Sequence, residues 1–146
     1  MTRDEFIAEY CKVSARAIYL SKKARKEGLL SIEDEIDSDR ENRRDILEYG
    51  LRFMVDGNDA SIIRDLLENV IEQEEDKYTR RLMEVKKEAL LSMQSGDNMQ
   101  IIAYKLNSLT DLALTDDPII RKIIEEADDK GKFSEDEIDA LIGGHN

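Results

Sequence analysis

The sequence predicts an all-α protein, built as elongated helical hairpins or a bundle of about six helices. Charged residues make up 38% of the 146 residues, aromatic residues make up 5%, and there is one proline, a composition typical of long solvated helices. Apolar residues recur at helical spacing along most of the chain. We expect one helical domain over residues 1–113 and an acidic helical extension over residues 114–146.

The first helix is indicated by apolar residues at alternating steps of four and three, which form one stripe of an amphipathic helix. The stripe consists of Phe6, Tyr10, Val13, Ala17, Leu20 and Ala24. Gly28 should end this helix, since glycine readily adopts the conformation of a helix stop. Ser31 with Asp34 then resembles a partial capping box for a short helix that carries Ile32 and Ile36.

The third helix is predicted over residues 41–56, with Gly57 as its stop. Either Asn58 or Asp59 should cap the next helix. Its apolar face continues to residue 93, but the nearly fully charged run 72–76 interrupts it. One long helix over residues 59–93 and two helices with a kink near Lys77 are both compatible with this pattern.

The remaining helices are indicated by their stop and cap residues. Gly96 should end the preceding helix and Asp97 should cap the next one. The pair Asp117-Pro118 should open another helix, and Ser134 with Glu137 forms a capping box for the last short one.

Residues 57–63 (GNDASII) are echoed by residues 96–102 (GDNMQII). This similarity indicates either two similar turns between helices or a true repeat of helical hairpins.

The charge is unevenly distributed along the chain. Residues 1–30 carry 7 basic and 4 acidic side chains, whereas residues 31–78 carry 6 and 16, within a net charge of −12. A basic first helix followed by an acidic stretch either pairs within the fold or presents two surfaces of opposite sign to a charged partner.

Composition also excludes several classes of function. The acidic balance argues against nucleic acid or an anionic membrane as the main partner. The longest run without Asp, Glu, Lys or Arg is residues 89–96, far short of the roughly 20 apolar residues of a membrane span. The N-terminus lacks the apolar segment of a signal peptide, and the single cysteine, Cys11, suits a reducing cytosol.

No motif indicates catalysis. His145 is the only histidine and has no neighbouring cysteine, so zinc sites and nucleophilic triads have no candidates. No glycine-rich phosphate loop is present, and the spacing of residues 128–133 does not fit a calcium loop. We therefore expect a protein that is not an enzyme and has no cofactor.

Two parts of the chain resemble the cytoplasmic region of the flagellar stator protein MotA. Residues 24–33 (ARKEGLLSIE) are similar to that family's pattern A-R-x-x-G-L-L-x-L-E, and the similarity extends through residues 51–57 (LRFMVDG). It resumes at residues 88–98 (EALLSMQSGDN). The membrane helices of the family are missing between and before these parts, which indicates either a membrane-less relative or an excised and rejoined piece of a stator protein.

The resemblance implies a set of partner-binding residues. In the family, an arginine and a glutamate of the cytoplasmic loop engage the rotor protein FliG, and by position they match Arg25 and Glu33. We add Arg16 and Lys22, which lie on the same basic first helix. The alternative is that these charges only stabilise helix ends or pair internally.

The C-terminal residues 133–143 (FSEDEIDALIG) resemble the N-terminal peptide of the switch proteins FliM and FliY, which binds phosphorylated CheY. An amphipathic helix would place its apolar side chains in a partner's groove and its acidic ones at the rim. The residues implied are Glu137, Ile138, Asp139, Leu141 and Ile142. The alternative is a capped terminal helix that packs on its own domain.

Together these observations predict a cytoplasmic protein at the flagellar motor that acts by binding. The implied partners are a FliG-like rotor protein and, through the C-terminal helix, CheY or a FliM/FliN-type switch protein. We expect no nucleic acid partner and no membrane insertion. The alternative is a helical scaffold that associates with itself and makes no rotor contact.

Overall fold

The computed structural model describes residues 1–36 and 45–112, and these residues contain six helices and no β-strand. They are α1 (Arg3–Glu27), a 3₁₀ helix (Leu29–Glu35), α2 (Ile46–Val55), α3 (Ala60–Glu72), α4 (Lys77–Gln94) and α5 (Met99–Asn107). The predicted all-α class with about six helices is confirmed. The predicted helices at residues 117 and 134 lie outside the described residues, as does the extension 114–146.

The central helix is α4, which packs against α1, α2, α3 and α5. α1 runs parallel to it, because the Phe6 ring lies 5.6 Å from that of Tyr78 while Arg25, near the other end of α1, contacts Asp97. α3 and α5 run in the opposite direction. In α5, for example, Asn107 accepts a buried hydrogen bond of 3.0 Å from the Tyr10 hydroxyl, near the start of α1.

The predicted apolar stripe of α1 forms a large part of the core. All its members are buried except Ala24, which is half-buried at the C-terminal end of the helix. Cys11, beside the stripe, is fully buried. These buried side chains stabilise the bundle, because burial of each large aliphatic or aromatic side chain contributes about 1.5–3 kcal/mol.

The apolar pattern over residues 59–93 belongs to two helices. α3 ends at Glu72 and α4 begins at Lys77, where Asp76 is the N-cap. The Asp76 carboxylate accepts hydrogen bonds from the backbone N–H of Thr79 at 2.9 Å and from its hydroxyl at 2.6 Å. The charged run therefore forms a turn, because its carboxylates satisfy backbone N–H groups that a continuous helix would have used internally.

The two similar segments form the same turn. Gly57 (φ 91°) and Gly96 (φ 77°) each follow a helix. In both turns the glycine N–H bonds to the carbonyl three residues back, and the next residue's N–H bonds to the carbonyl five residues back. This is the Schellman motif, whose left-handed position favours glycine.

Three predicted helix starts need correction. α5 is capped by Asn98, whose side chain accepts from Ile101 N, and not by Asp97. α2 begins at Ile46, because Asp45 has extended backbone and its carboxylate accepts from Leu47 N, so the predicted helix does not continue back through residue 45. The predicted positions 41–44 lie outside the described residues. Ser31 is not a cap either, since its hydroxyl donates to the carbonyl of Gly28 at 2.6 Å.

Candidate functional site

The candidate site surrounds the C-terminal end of α1 and the 3₁₀ helix that follows it. Arg25 is exposed in the last turn of α1, where a cation is favoured by the helix dipole. Its Nη1 donates to the backbone carbonyl of Asp97 at 3.4 Å. Within the described residues Arg25 forms this one side-chain hydrogen bond, so most of the guanidinium's five N–H donors remain available to a partner.

The turn between α4 and α5 lies beside Arg25 and is held by hydrogen bonds. The Asp97 carboxylate accepts hydrogen bonds from Lys105 Nζ and from the Ser92 hydroxyl, each at 2.6 Å. These two donors, Lys105 first, lower the pKa of Asp97 below its usual value. The carbonyl that Arg25 contacts is therefore fixed by bonds on both sides of the turn.

Glu33 lies on the exposed face of the 3₁₀ helix. Its carboxylate contacts Arg52 Nη1 of α2 at 3.4 Å. The side chains are 55% exposed for Glu33 and 40% for Arg52, so water competes for both charges and the pair contributes little to stability. Glu33 would therefore lose little free energy if it released Arg52 and bound a cation on a partner instead.

Arg16 lies deeper, where it holds the end of the 3₁₀ helix against α2. Its Nε and Nη2 donate to the Glu48 carboxylate at 2.8 and 3.2 Å, and Nη2 also donates to the carbonyl of Glu35 at 2.7 Å. Such a bidentate, half-buried ion pair fixes geometry. Arg16 is therefore placed to position the backbone that carries Glu33.

The Glu35 carboxylate accepts hydrogen bonds from two further residues of α1. Lys23 Nζ and the Tyr19 hydroxyl bind the same carboxylate oxygen at 3.0 and 2.9 Å. The Lys23 hydrogen bond is the largest cause that lowers the pKa of Glu35, with a smaller contribution from Tyr19. Lys22, next to this cluster, is half-buried.

Two leucines lie between the candidate charges. Leu29 is exposed, and Leu30 has 71% of its surface open to solvent. Two exposed apolar side chains between two oppositely charged ones are typical of protein-binding surfaces, where an apolar centre is surrounded by polar groups.

The structure thus brings Arg25 and Glu33 to exposed positions on either side of the Gly28–Ser31 connection, while Arg16 and Lys22 are half-buried. The predicted C-terminal binding residues, Glu137, Ile138, Asp139, Leu141 and Ile142, lie outside the described residues. Sequence reasoning missed Arg52, Lys105 and Leu30. The two cations join the candidate site only through tertiary contacts, and only the apolar type of Leu30 beside the charged helix end could have indicated it as a candidate.

The described part of the chain contains no group of three or more His, Cys, Asp and Glu side chains arranged to hold a metal ion. None of its helices is long and apolar enough to cross a membrane.

Comparison with known proteins relates the chain to Motility protein A. It is 39% identical over 71 residues to Motility protein A of Borreliella burgdorferi, and 39% identical over 70 residues to Motility protein A of Treponema phagedenis. Each match covers 47% of this chain but only 26% of the relative. No family model matches the chain, and no solved structure matches it.

Proposed function

We propose that this protein is a non-enzymatic, cytoplasmic component of the flagellar motor that binds a FliG-like rotor protein. The observation that carries the proposal is that Arg25 and Glu33 are exposed on either side of the Gly28–Ser31 connection, each with a single polar side-chain contact of 3.4 Å. The partial similarity to Motility protein A supports a role in motility.

The proposed contact is electrostatic and reversible. Arg25 would bind an acidic side chain of the rotor protein, and Glu33 would leave Arg52 for a basic one. Charged groups at the rim of an interface contribute mainly to association rate and specificity, so such contacts form and break quickly. Leu30 would add apolar contact area between the two charges.

Binding of the full chain to purified FliG tests the proposal. Arg25→Glu should weaken binding by about tenfold or more, and the wild-type affinity should fall steeply as salt screens the charges. The control is Lys12→Glu, the same charge change at an exposed position near the middle of α1. Equal affinities for the wild type and Arg25→Glu would overturn the rotor contact.

A second part of the proposal concerns the acidic C-terminal residues. We infer from the resemblance of residues 133–143 to the FliM and FliY peptide that this segment binds phosphorylated CheY, with a FliM/FliN-type switch protein as the other candidate partner. A peptide of residues 131–146 should bind phosphorylated CheY more tightly than the same peptide with Ile138→Glu. Absence of binding by the unmodified peptide would remove this part.

A self-associating scaffold is the second candidate function, and α3 carries the observation that favours it. Ile62, Leu66 and Val70 form an apolar stripe along α3 that is 41–46% exposed. Three such residues on one face are typical of helix–helix interfaces. Sedimentation that depends on concentration, and is lost in Leu66→Glu, would support this alternative; a monomer at all concentrations would exclude it.

A further inference from the structure

A second charged surface lies at the opposite end of α1 from Arg25. The first turns of α4 and the chain that follows α5 border a groove of about 790 Å³. One wall carries Lys77, Arg80 and Arg81, which share one face of α4 because they are three and four residues apart. The other wall is formed by residues 108–111.

Three acidic side chains line this groove, and two of them are already paired with cations. The third is Glu75, an exposed residue in the turn before α4. Glu84 pairs with Lys87 at 2.9 Å, and Asp111 pairs with Arg3 at 2.8 Å. Both partners lie outside the groove lining. The hydrogen bond from Arg3 is the main cause that lowers the pKa of Asp111, to which the charge of Arg81 adds.

The cations of the groove are not neutralised in the same way. Within residues 1–36 and 45–112, none of the three cationic side chains forms an ion pair with a carboxylate. The Lys77 ammonium lies over the ring of its neighbour Tyr78, 5.7 Å from the centroid. The groove therefore presents three cations against one carboxylate, that of Glu75, which forms no ion pair within the part of the chain that the structure describes.

The chain itself supplies an acidic segment beside this groove. Residues 114–146 contain 10 acidic and 4 basic side chains, a net charge of −6. This segment begins three residues after Asp111, which lines the groove. Covalent attachment gives it an effective concentration in about the millimolar range, far above that of a separate acidic protein.

We propose that this groove is the docking site for the chain's own acidic segment, residues 114–146, whose carboxylates bind Lys77, Arg80 and Arg81. This inference is independent of the rotor contact, because it uses neither Arg25 nor Glu33.

Carbodiimide coupling of the full chain tests the proposal, since this reagent joins only amines and carboxylates already in contact. A mixture of isotope-labelled and unlabelled chains distinguishes links within one chain from links between two copies. We expect Lys77 to couple to carboxylates of residues 114–146 of the same chain. The yield should fall several-fold at about 1 M salt, where the screening length is about 3 Å.

Variants of the groove residues test whether the groove is responsible for the coupling at Lys77. Arg80→Glu with Arg81→Glu should reduce the yield at Lys77 several-fold, whereas Lys12→Glu with Arg64→Glu, the same charge change at exposed positions away from the groove, should not. Arg80→Gln is a milder variant that keeps the test informative if the double reversal unfolds. Links only between copies, absence of links from Lys77 to residues 114–146, or a yield unchanged by the groove variants would each overturn the proposal.

Discussion

Gly50 on α2 lies directly against Leu90 on α4, so that a Cβ at position 50 would overlap a methyl group of the Leu90 side chain. Leu90 is 1% exposed and packs in the core, which leaves it little space to move. This glycine therefore sets how closely α2 approaches α4. The same approach places Arg52 of α2 where it can contact Glu33.

Replacement of this glycine tests the close approach. In an exposed helix Gly→Ala stabilises by about 1 kcal/mol, but overpacking a core costs about 1–3 kcal/mol. We expect Gly50→Ala to lower the free energy of unfolding by about 1 kcal/mol in urea denaturation. The double variant Gly50→Ala/Leu90→Ala should be more stable than the sum of the two single losses predicts, and strict additivity would contradict the proposed overlap.

The half-buried ion pair between Arg16 and Glu48 should contribute measurably to stability. Glu48→Ala removes the carboxylate and leaves the guanidinium with only part of its hydrogen bonds, so the loss should be about 1–3 kcal/mol by urea denaturation. The control is Glu68→Ala, because Glu68 pairs with Lys87 at an exposed position and should matter by less than about 1 kcal/mol. Similar losses for both variants would show that burial does not strengthen the first pair.

The carboxylate of Asp97 should make stability depend on pH. Because Lys105 and Ser92 lower its pKa in the folded state, the stabilisation is present above the unfolded pKa of about 3.9 and is lost as pH falls through the lower folded pKa. Asp97→Asn should therefore be less stable than the wild type near pH 7, and the difference should shrink below about pH 4.

Urea denaturation of both proteins as a function of pH measures this difference directly. The control is Asp65→Asn, an exposed position on α3. A stability difference for Asp97→Asn that stays constant from pH 7 to about pH 3 would contradict the assigned role.

The thiol of Cys11 should report on opening of the core. Burial raises the pKa of Cys11 to about 12, and the side chain has no exposed surface. Since the reactive species is the thiolate, a thiol reagent at about pH 8 should label native protein extremely slowly and unfolded protein at once. With a disulfide reagent that releases a light-absorbing thiolate, the change in absorbance follows Cys11 alone, because the chain has no other cysteine. Rapid labelling without denaturant would show that the core face of α1 opens readily.

Local patterns in the sequence predicted much of this fold because the information they use is local. The stripe from Phe6 to Leu20 is buried as its spacing predicts, and Gly57 and Gly96 form the expected stops. The choice of cap residue failed at Asp97, since its carboxylate is occupied by Lys105, eight residues further along the chain. Asn98 caps α5 instead, and its side chain accepts the hydrogen bond from Ile101 N.

The candidate site could be predicted only in part. Arg25 and Glu33 were found from their motif and from their positions at helix ends, and both are exposed. Arg16, in contrast, is half-buried because it pairs with Glu48, which lies 32 residues further along the chain. Contacts of this kind arise from helix packing, and no pattern within one segment encodes them.

The length of α1 has a consequence for how the two ends of the molecule communicate. Its 25 residues span about 37 Å at 1.5 Å per residue. That distance exceeds by more than fourfold the roughly 8 Å over which charges are felt at physiological ionic strength. A change of charge at one terminus of this helix is therefore largely screened from exposed charges at the other, and a signal between them would have to pass through the packed helices.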